Sequence, residues 1–439
     1  MSRFTSAGIT ALAVASLAAC SDAPVSPSSS PSAPDAPVFS VNARGPEQVM
    51  AGEVVVKLKD MATASAVASA HGLSVGERGY KDAFVVLHGA AGSERANANA
   101  LRNDSRVQYA EPNYLRQIDA INPNLWAFYN PGGLNMKYTS GRTKGGYISS
   151  SYASTADADE DNVENYATGG ADVVIGSIDT GVLLTHQEFT GRLIAGTDWY
   201  NNDNDPTDDE GHGTHTTGTM AGSTVGVAGV SGAAPHVKVL VQKVCGRRGC
   251  PTSAIVSAIR AAADYGVVAM NLSLGGSSES QAEKDAIAYA TSKNALVIAS
   301  AGNDGTGTVS CPACDVNAIS VAASNWQDKL SSYSNWGSVL DITAPGGNCY
   351  SNTTPEGCIY SAYNDGGYSW MQGTSMAAPQ VTGTAAIVAS KTGLRGSGLR
   401  SRIIGAADDL GTAGYDTTFG AGRLNSYRAV TNSSLPSGQ

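Results

Sequence analysis

At 439 residues the chain exceeds one ordinary small domain, and its length predicts two or three folded units. With 42% apolar and only 15% charged residues it has enough to bury, which excludes disorder as the dominant state; its 51 glycines predict many tight turns. A formal net charge of -10 without clusters of Lys and Arg excludes a nucleic-acid partner.

The N-terminus carries Arg3 and an apolar run from Ala7 to Ala19. At about 13 residues the run is too short to cross a bilayer as a helix of about 20, and it predicts an export signal. It ends in Leu17-Ala18-Ala19-Cys20, which resembles the bacterial lipoprotein cleavage box. The resemblance implies a signal peptide over 1–20 and a lipid anchor at Cys20, so that the protein is exported from a bacterial cell and either anchored or released after processing. An ordinary signal peptide with a chance cysteine is the alternative. A Ser/Pro-rich tether follows over 21–42.

From 43 to 117 a small α+β unit is expected. Gly52 to Lys59 alternates like a strand, Met61 to His71 reads as a helix, and Ala83 to Leu87 is again strand-like. Ser93 to Arg102 reads as a second helix and Val107 to Ala110 as a closing strand. The unit lacks any cluster of catalytic residue types.

From about residue 119 to 432 the texture changes. Apolar runs at Val173–Ile178, Val237–Val244, Val267–Leu274 and Ala295–Ser300 alternate with helical patterns at Ser253–Tyr265, Ser280–Lys293 and Ser375–Ser390. Such alternation predicts an α/β fold, a parallel sheet with helices on both faces, in which ligands gather beyond the carboxyl ends of the strands. A short tail, 433–439, follows.

The chemistry-bearing residues fall at those ends. The first strand runs into Asp179-Thr180-Gly181; Gly211-His212-Gly213-Thr214-His215 precedes a small-residue helix; and Gly373-Thr374-Ser375-Met376-Ala377-Ala378-Pro379 opens an apolar one. A serine at a helix N-terminus faces free N–H groups that favour developing negative charge. Its hydroxyl needs a base such as His212, and that base needs a carboxylate to fix its tautomer.

These three blocks, in the order Asp, His, Ser, resemble the subtilisin-like serine protease superfamily, and the middle of the chain looks like its proteinase K and thermitase relatives. The resemblance covers about residues 119–432, ending in Gly420-Ala421-Gly422-Arg423-Leu424-Asn425. It implies a serine endopeptidase, working as a monomer on protein and peptide substrates and needing no cofactor for catalysis, with Asp179, His212 and Ser375 as triad. Ala299-Ser300-Ala301-Gly302-Asn303 resembles the family's oxyanion segment, which assigns that role to Asn303, with Ala301 and Gly302 beside the substrate. Asn271-Leu272-Ser273-Leu274-Gly275-Gly276 resembles the edge that pairs with substrate backbone, through Ser273, Leu274, Gly275 and Gly276. Residues 43–117, ending in Tyr109-Ala110-Glu111-Pro112-Asn113, resemble the family's inhibitory propeptides, cut off by the enzyme itself.

Eleven of the 38 acidic residues lie in two stretches, Asp157–Glu164 and Asp198–Glu210, which suggests local cation binding. By resemblance to thermitase relatives, the loop before His212 implies a structural Ca2+ site at Asp198, Asn201, Asp203 and Thr207, with the carbonyl of Asp205. A second, from proteinase K, is implied at Asp341 with the carbonyls of Val316 and Ala318. The Ser223–Ala228 loop is too short to reproduce thermitase's strongest calcium site. A solvated acidic turn is the alternative for the first loop.

Beyond Cys20 six cysteines remain, an even number in an exported chain. Six allow 15 pairings; proximity favours Cys245 with Cys250, Cys311 with Cys314, and Cys349 with Cys358. Cys311-Pro-Ala-Cys314 as a redox pair would require a strand before it and a helix starting at it, whereas it reads as a loop before strand-like Ala318–Ala323. His215, three residues from His212, could be a metal ligand; the resemblance makes it structural. Gln380, where many relatives carry histidine, and an insertion around Tyr138 to Ser154 depart from the family pattern without touching a residue given a catalytic role.

Overall fold

The computed structural model describes residues 49–118, 137–140, 143–147, 170–223, 230–231, 234, 236–325, 328–348 and 358–432. The expected signal peptide, Cys20, tether, first acidic stretch and C-terminal tail lie outside these residues, as do Cys349 and most of the Ser223–Ala228 loop.

The N-terminal unit runs β1 (Val49–Leu58), α1 (Ala64–Ala70), β2 (Ser74–Arg78), β3 (Val85–His88), α2 (Glu94–Arg102) and β4 (Val107–Ile118). Val54, Val56, Val85 and Leu87 bury against Val67, Ala68, Ala98 and Leu101 of the helices, the stripe that spacings of three and four residues produce. β2 is almost wholly exposed, which is why it shows no apolar signal.

The remainder contains the hairpin β5 (Lys137–Ser140) and β6 (Thr143–Tyr147), which falls at the insertion. It continues through β7 (Val173–Asp179), β8 (Leu193–Asp198), α3 (His212–Ala221), β9 (Val237–Lys243), β10 (Cys250–Pro251), α4 (Thr252–Tyr265), β11 (Ala269–Leu272) and β12 (Leu274–Gly275). Then come α5 (Gln281–Ser292), β13 (Leu296–Ser300), β14 (Ala318–Ser324), β15 (Ile342–Pro345), β16 (Ile359–Ala362), β17 (Tyr368–Met371), α6 (Thr374–Thr392), α7 (Gly396–Gly405) and α8 (Ser426–Thr431).

Seven strands form a parallel sheet in the order β15-β14-β13-β11-β7-β9-β8. Ile255, Ile259, Ala262 and Ile287 of α4 and α5 belong to one apolar core; Val381, Ala385, Val388, Leu399 and Ile403 of α6 and α7 belong to another. α6 is buried from Thr374 to Ser390, and its small residues permit this. A Cβ at Gly383 would lie 2.7 Å from the Met220 carbonyl oxygen, so helix α3 could not approach so closely over a larger residue.

The N-terminal unit shares the first of these cores through Val55, Phe84 and Val86. β4 pairs with β1 and extends beyond it to pair antiparallel with β10 and with β12. The expected closing strand, Val107–Ala110, is therefore only the first third of a longer one. Its continuation is satisfied by edges remote in sequence, which no local periodicity reports. β4 also runs unbroken across the boundary expected between 117 and 118.

Candidate active site

β7 lies where the strand order reverses, and it ends in Asp179. Asp179 Oδ1 is 2.7 Å from His212 Nδ1 and accepts from the Thr180 N–H at 2.7 Å; Oδ2 accepts from the Thr216 hydroxyl at 3.2 Å. Both partners are buried, and because a carboxylate only accepts, it holds the ring with the proton on Nδ1 facing it. Nε2 is then the ring nitrogen left to act as a base, and among the described residues it is buried without a hydrogen-bond partner.

Ser375 is the second residue of α6. Its hydroxyl donates to the Ser273 carbonyl at 3.3 Å, while the Ser273 hydroxyl donates to the Ser375 carbonyl at 2.8 Å. That carbonyl is free because Pro379, four residues on, has no N–H to offer it. Asn303, after β13, accepts at Oδ1 from the N–H and hydroxyl of Thr374, at 2.9 and 3.0 Å, which fixes its amide next to Ser375. Ala301 and Gly302 are buried at the end of β13; Gly302 has φ +103, and a Cβ there would strike the Ser310 hydroxyl.

Leu274 pairs with Ile118 and Gly275 with Gln117, and opposite them Cys250 pairs with Arg116 and Pro251 with Leu115. The chain's own strand thus lies as the middle member of three in the cleft. Gly276 does not join this pairing, because its N–H and carbonyl both bond to Cys311. The Cys311–Cys314 and Cys245–Cys250 disulfides are formed, the first in a loop before β14, the second beside β10. Neither the strand nor the helix that a redox pair needs flanks Cys311. Cys358 is disulfide-bonded.

His215 Nε2 lies 3.2 Å from the carbonyls of Ile359 and Ser369, and burial lowers its pKa to about 3. It is a neutral structural donor. Gln380 reaches the Pro345 carbonyl at 2.6 Å.

The implied calcium residues divide. In the first loop Asp198, Asp203 and Asp205 supply hard oxygens of the kind Ca2+ takes. They also accept from the loop itself: Asp198 from the Tyr200 and Asn201 N–H groups, Asp203 from the Asp205 N–H, Asp205 from Thr207. Among the described residues no three acidic, His or Cys side chains converge as a metal cluster. The second expectation is corrected. Arg400 bonds Asp341 Oδ1 at 2.6 Å and the Ala318 carbonyl at 2.7 Å, so a guanidinium stands between the oxygens assigned to the ion, and the residues do not fit a cation there.

Two residues absent from the sequence-based site organise it. Asp208 is buried and accepts from the hydroxyl of Thr180, the N–H groups of Glu210, Gly211 and Thr214, and the Thr214 hydroxyl. Burial raises its pKa. Lys243, buried at the end of β9, donates to the carbonyls of Thr180 and Thr207 and pairs with Asp209. Together they tie the Asp179 turn to the start of α3. Asp208 was legible only as one acid in a dense run.

The profile of the subtilase family matches residues 170–422, and that of the fervidolysin N-terminal prodomain matches residues 35–113. The thermophilic serine proteinase of Bacillus sp. (strain AK1) is 35% identical over 391 residues, 87% of this chain and 87% of its own. Thermitase of Thermoactinomyces vulgaris is 37% identical over 262 residues, 60% of this chain and 89% of its own. Fervidolysin from Fervidobacterium pennivorans, a keratinolytic enzyme related to subtilisin, aligns with a TM-score of 0.68 across 90% of this chain and 63% of its own; at 24% identity that is a likeness of fold. The chain belongs to the subtilase family of serine proteases and carries a fervidolysin-like prodomain.

Proposed function

We propose that this subtilase is a secreted endopeptidase that cuts peptide bonds through an acyl-enzyme at Ser375 and matures by removing its own prodomain. The observation that carries the proposal is the pairing of His212 with Asp179 beside a cleft that already holds a peptide strand.

In the forward step the Ser375 hydroxyl turns from the Ser273 carbonyl to His212 Nε2 and attacks the scissile carbonyl as its proton passes to the ring. Asp179 stabilises the imidazolium. The Asn303 amide and the Ser375 N–H bind the oxyanion. His212 then protonates the leaving amine, and water repeats the sequence on the acyl-enzyme. Substrate pairs as β4 does, with Leu274 and Gly275 on one side and Cys250 and Pro251 on the other; Ser273 steadies the nucleophile, and Ala301 and Gly302 line the cleft beneath.

The prodomain, 43–117 by sequence, inhibits by occupying that cleft, and the peptidase unit, expected from 118 to 432, leaves Ile118 with the prodomain when the chain is cut in the residues immediately after it. The apolar N-terminal run supports export, with a lipid at Cys20, and the peptidase acts as a monomer. Ca2+, held by Asp198, Asn201, Asp203, Asp205 and Thr207, stabilises the loop before His212 and takes no part in catalysis. A binding module that has lost catalysis is the other use of this fold. Labelling by a fluorophosphonate decides between them: covalent modification at Ser375 supports the peptidase, and an unmodified protein contradicts it.

A further inference from the structure

Glu210 lies two residues before His212. Its side chain is 1% exposed, yet among the described residues neither carboxylate oxygen has a hydrogen-bond partner. Burying a carboxylate without donors is costly, and a native fold that retains one commonly uses it. Burial, followed by the neighbouring Asp209, pushes its pKa up to about 7.

The backbone around Glu210 is fixed from two sides. Asp208 accepts from the N–H groups of Glu210 and Gly211, and the Tyr363 hydroxyl donates to the Glu210 carbonyl at 3.4 Å. Gly211, at φ +96, lets the Tyr363 ring pack against the chain where a Cβ would lie 2.4 Å from it. The third neighbour is the Gly246–Gly249 turn, closed by the Cys245–Cys250 disulfide. Arg247 in that turn is 77% exposed, and its Nε stops 3.9 Å from Glu210 Oε1, beyond hydrogen-bond reach. Among the described residues, Asp208, Asp209, Lys243, Arg247 and Tyr363 are the charged and titratable groups around the carboxylate. Lys243 is committed to Thr180, Thr207 and Asp209.

The same turn leads into β10, which pairs with Leu115 and Arg116 of the strand in the cleft. Glu210 is therefore two residues from His212 in sequence and, through Arg247, adjoins the turn that leads into the wall holding the residues preceding the cut. We propose that Glu210 determines specificity by taking a lysine or arginine side chain of the substrate on the acyl side of the scissile bond, with Arg247 as the exposed cation it displaces. This rests on the peptidase function above. A planar guanidinium or an ammonium supplies the donors that both carboxylate oxygens lack. Because the carboxyl is neutral below its raised pKa, the preference strengthens as pH rises through about 7.

The test compares peptides carrying Lys, Arg, Gln or norleucine at each of four positions before the cut, and reads the ratio of basic to neutral kcat/KM within each enzyme. The wild type should favour the basic peptide at one position by roughly tenfold, more at pH 8 than at pH 6. Glu210→Gln should bring the ratio close to one at both pH values, and Glu210→Asp should keep part of it. Arg247→Ala, an exposed change, should raise the ratio by removing the competing cation, and it keeps the proposal testable if the Glu210 variants fold poorly. Equal ratios in wild type and Glu210→Gln, or a ratio independent of pH, overturn the proposal. Cleavage of the neutral peptides by wild type, with fluorophosphonate labelling, shows separately that the peptidase function stands.

Discussion

Glu111 in the prodomain accepts a hydrogen bond from the Ser280 hydroxyl at 2.6 Å, and its carboxylate also takes the N–H groups of Gln281 and Ala282. A side chain from one unit thus caps helix α5 of the other, while Asn113 takes the Ser253 N–H at the start of α4. Glu111→Ala should cost about 2 kcal/mol of prodomain binding, roughly 30-fold in residence time. The check is the rate at which processed enzyme becomes active.

That contact also depends on pH. Burial is the largest influence on Glu111 and raises its pKa above 4.5, against hydrogen bonds that lower it. A carboxyl with a raised pKa binds its proton more readily in the complex than after release. The complex is therefore tightest below the ordinary value and loosens as pH rises through the raised one. Activation should accelerate over that window, and Glu111→Gln should flatten the response; an identical pH profile in the variant would contradict the assignment.

Arg400→Ala removes the cation that joins Asp341 to the Ala318 carbonyl. On a Ser375→Ala background, where autolysis does not intervene, it should cost about 1–2 kcal/mol, roughly 2–6 °C in Tm. Arg400→Lys should recover part of that. Asp341→Asn should leave the protein's response to Ca2+ unchanged, since the ion has no place there.

The loop before His212 should respond to calcium. An ion held only by the folded state contributes about 2.7 kcal/mol at a hundredfold excess over its dissociation constant. Chelator should lower Tm, and Asp198→Ala combined with Asp203→Ala should abolish most of that change. A Tm indifferent to chelator would remove calcium from the account and leave the peptidase intact.

Much of this was legible because it is local. Buried strands such as Val173–Asp179 are short continuous apolar runs, and the blocks around Asp179, His212 and Ser375 each sit within a few residues of an element end. β8 was missed because most of its residues are only half buried, and the β16–β17 hairpin because its outward residues are aromatic rather than polar. Lys243 meets Thr180 across 63 residues of chain and Arg400 meets Asp341 across 59. Nothing near either residue in sequence announces that contact.

Asn303→Ala should lower kcat by roughly 10²–10³, the loss subtilisin itself shows for its oxyanion amide, with KM nearly unchanged. In the proposed mechanism the amide acts on charge that exists only in the transition state. A loss confined to KM would contradict the role.

Ser375→Ala, expressed alone and examined by intact-mass analysis, tests the central claim most directly. On the proposed mechanism self-cleavage and substrate cleavage use one nucleophile, so the variant should accumulate as a folded precursor with its prodomain still joined beyond Ile118. A Ser375→Ala protein that still yields a mature N-terminus just after Ile118, with no other peptidase present, would contradict the account.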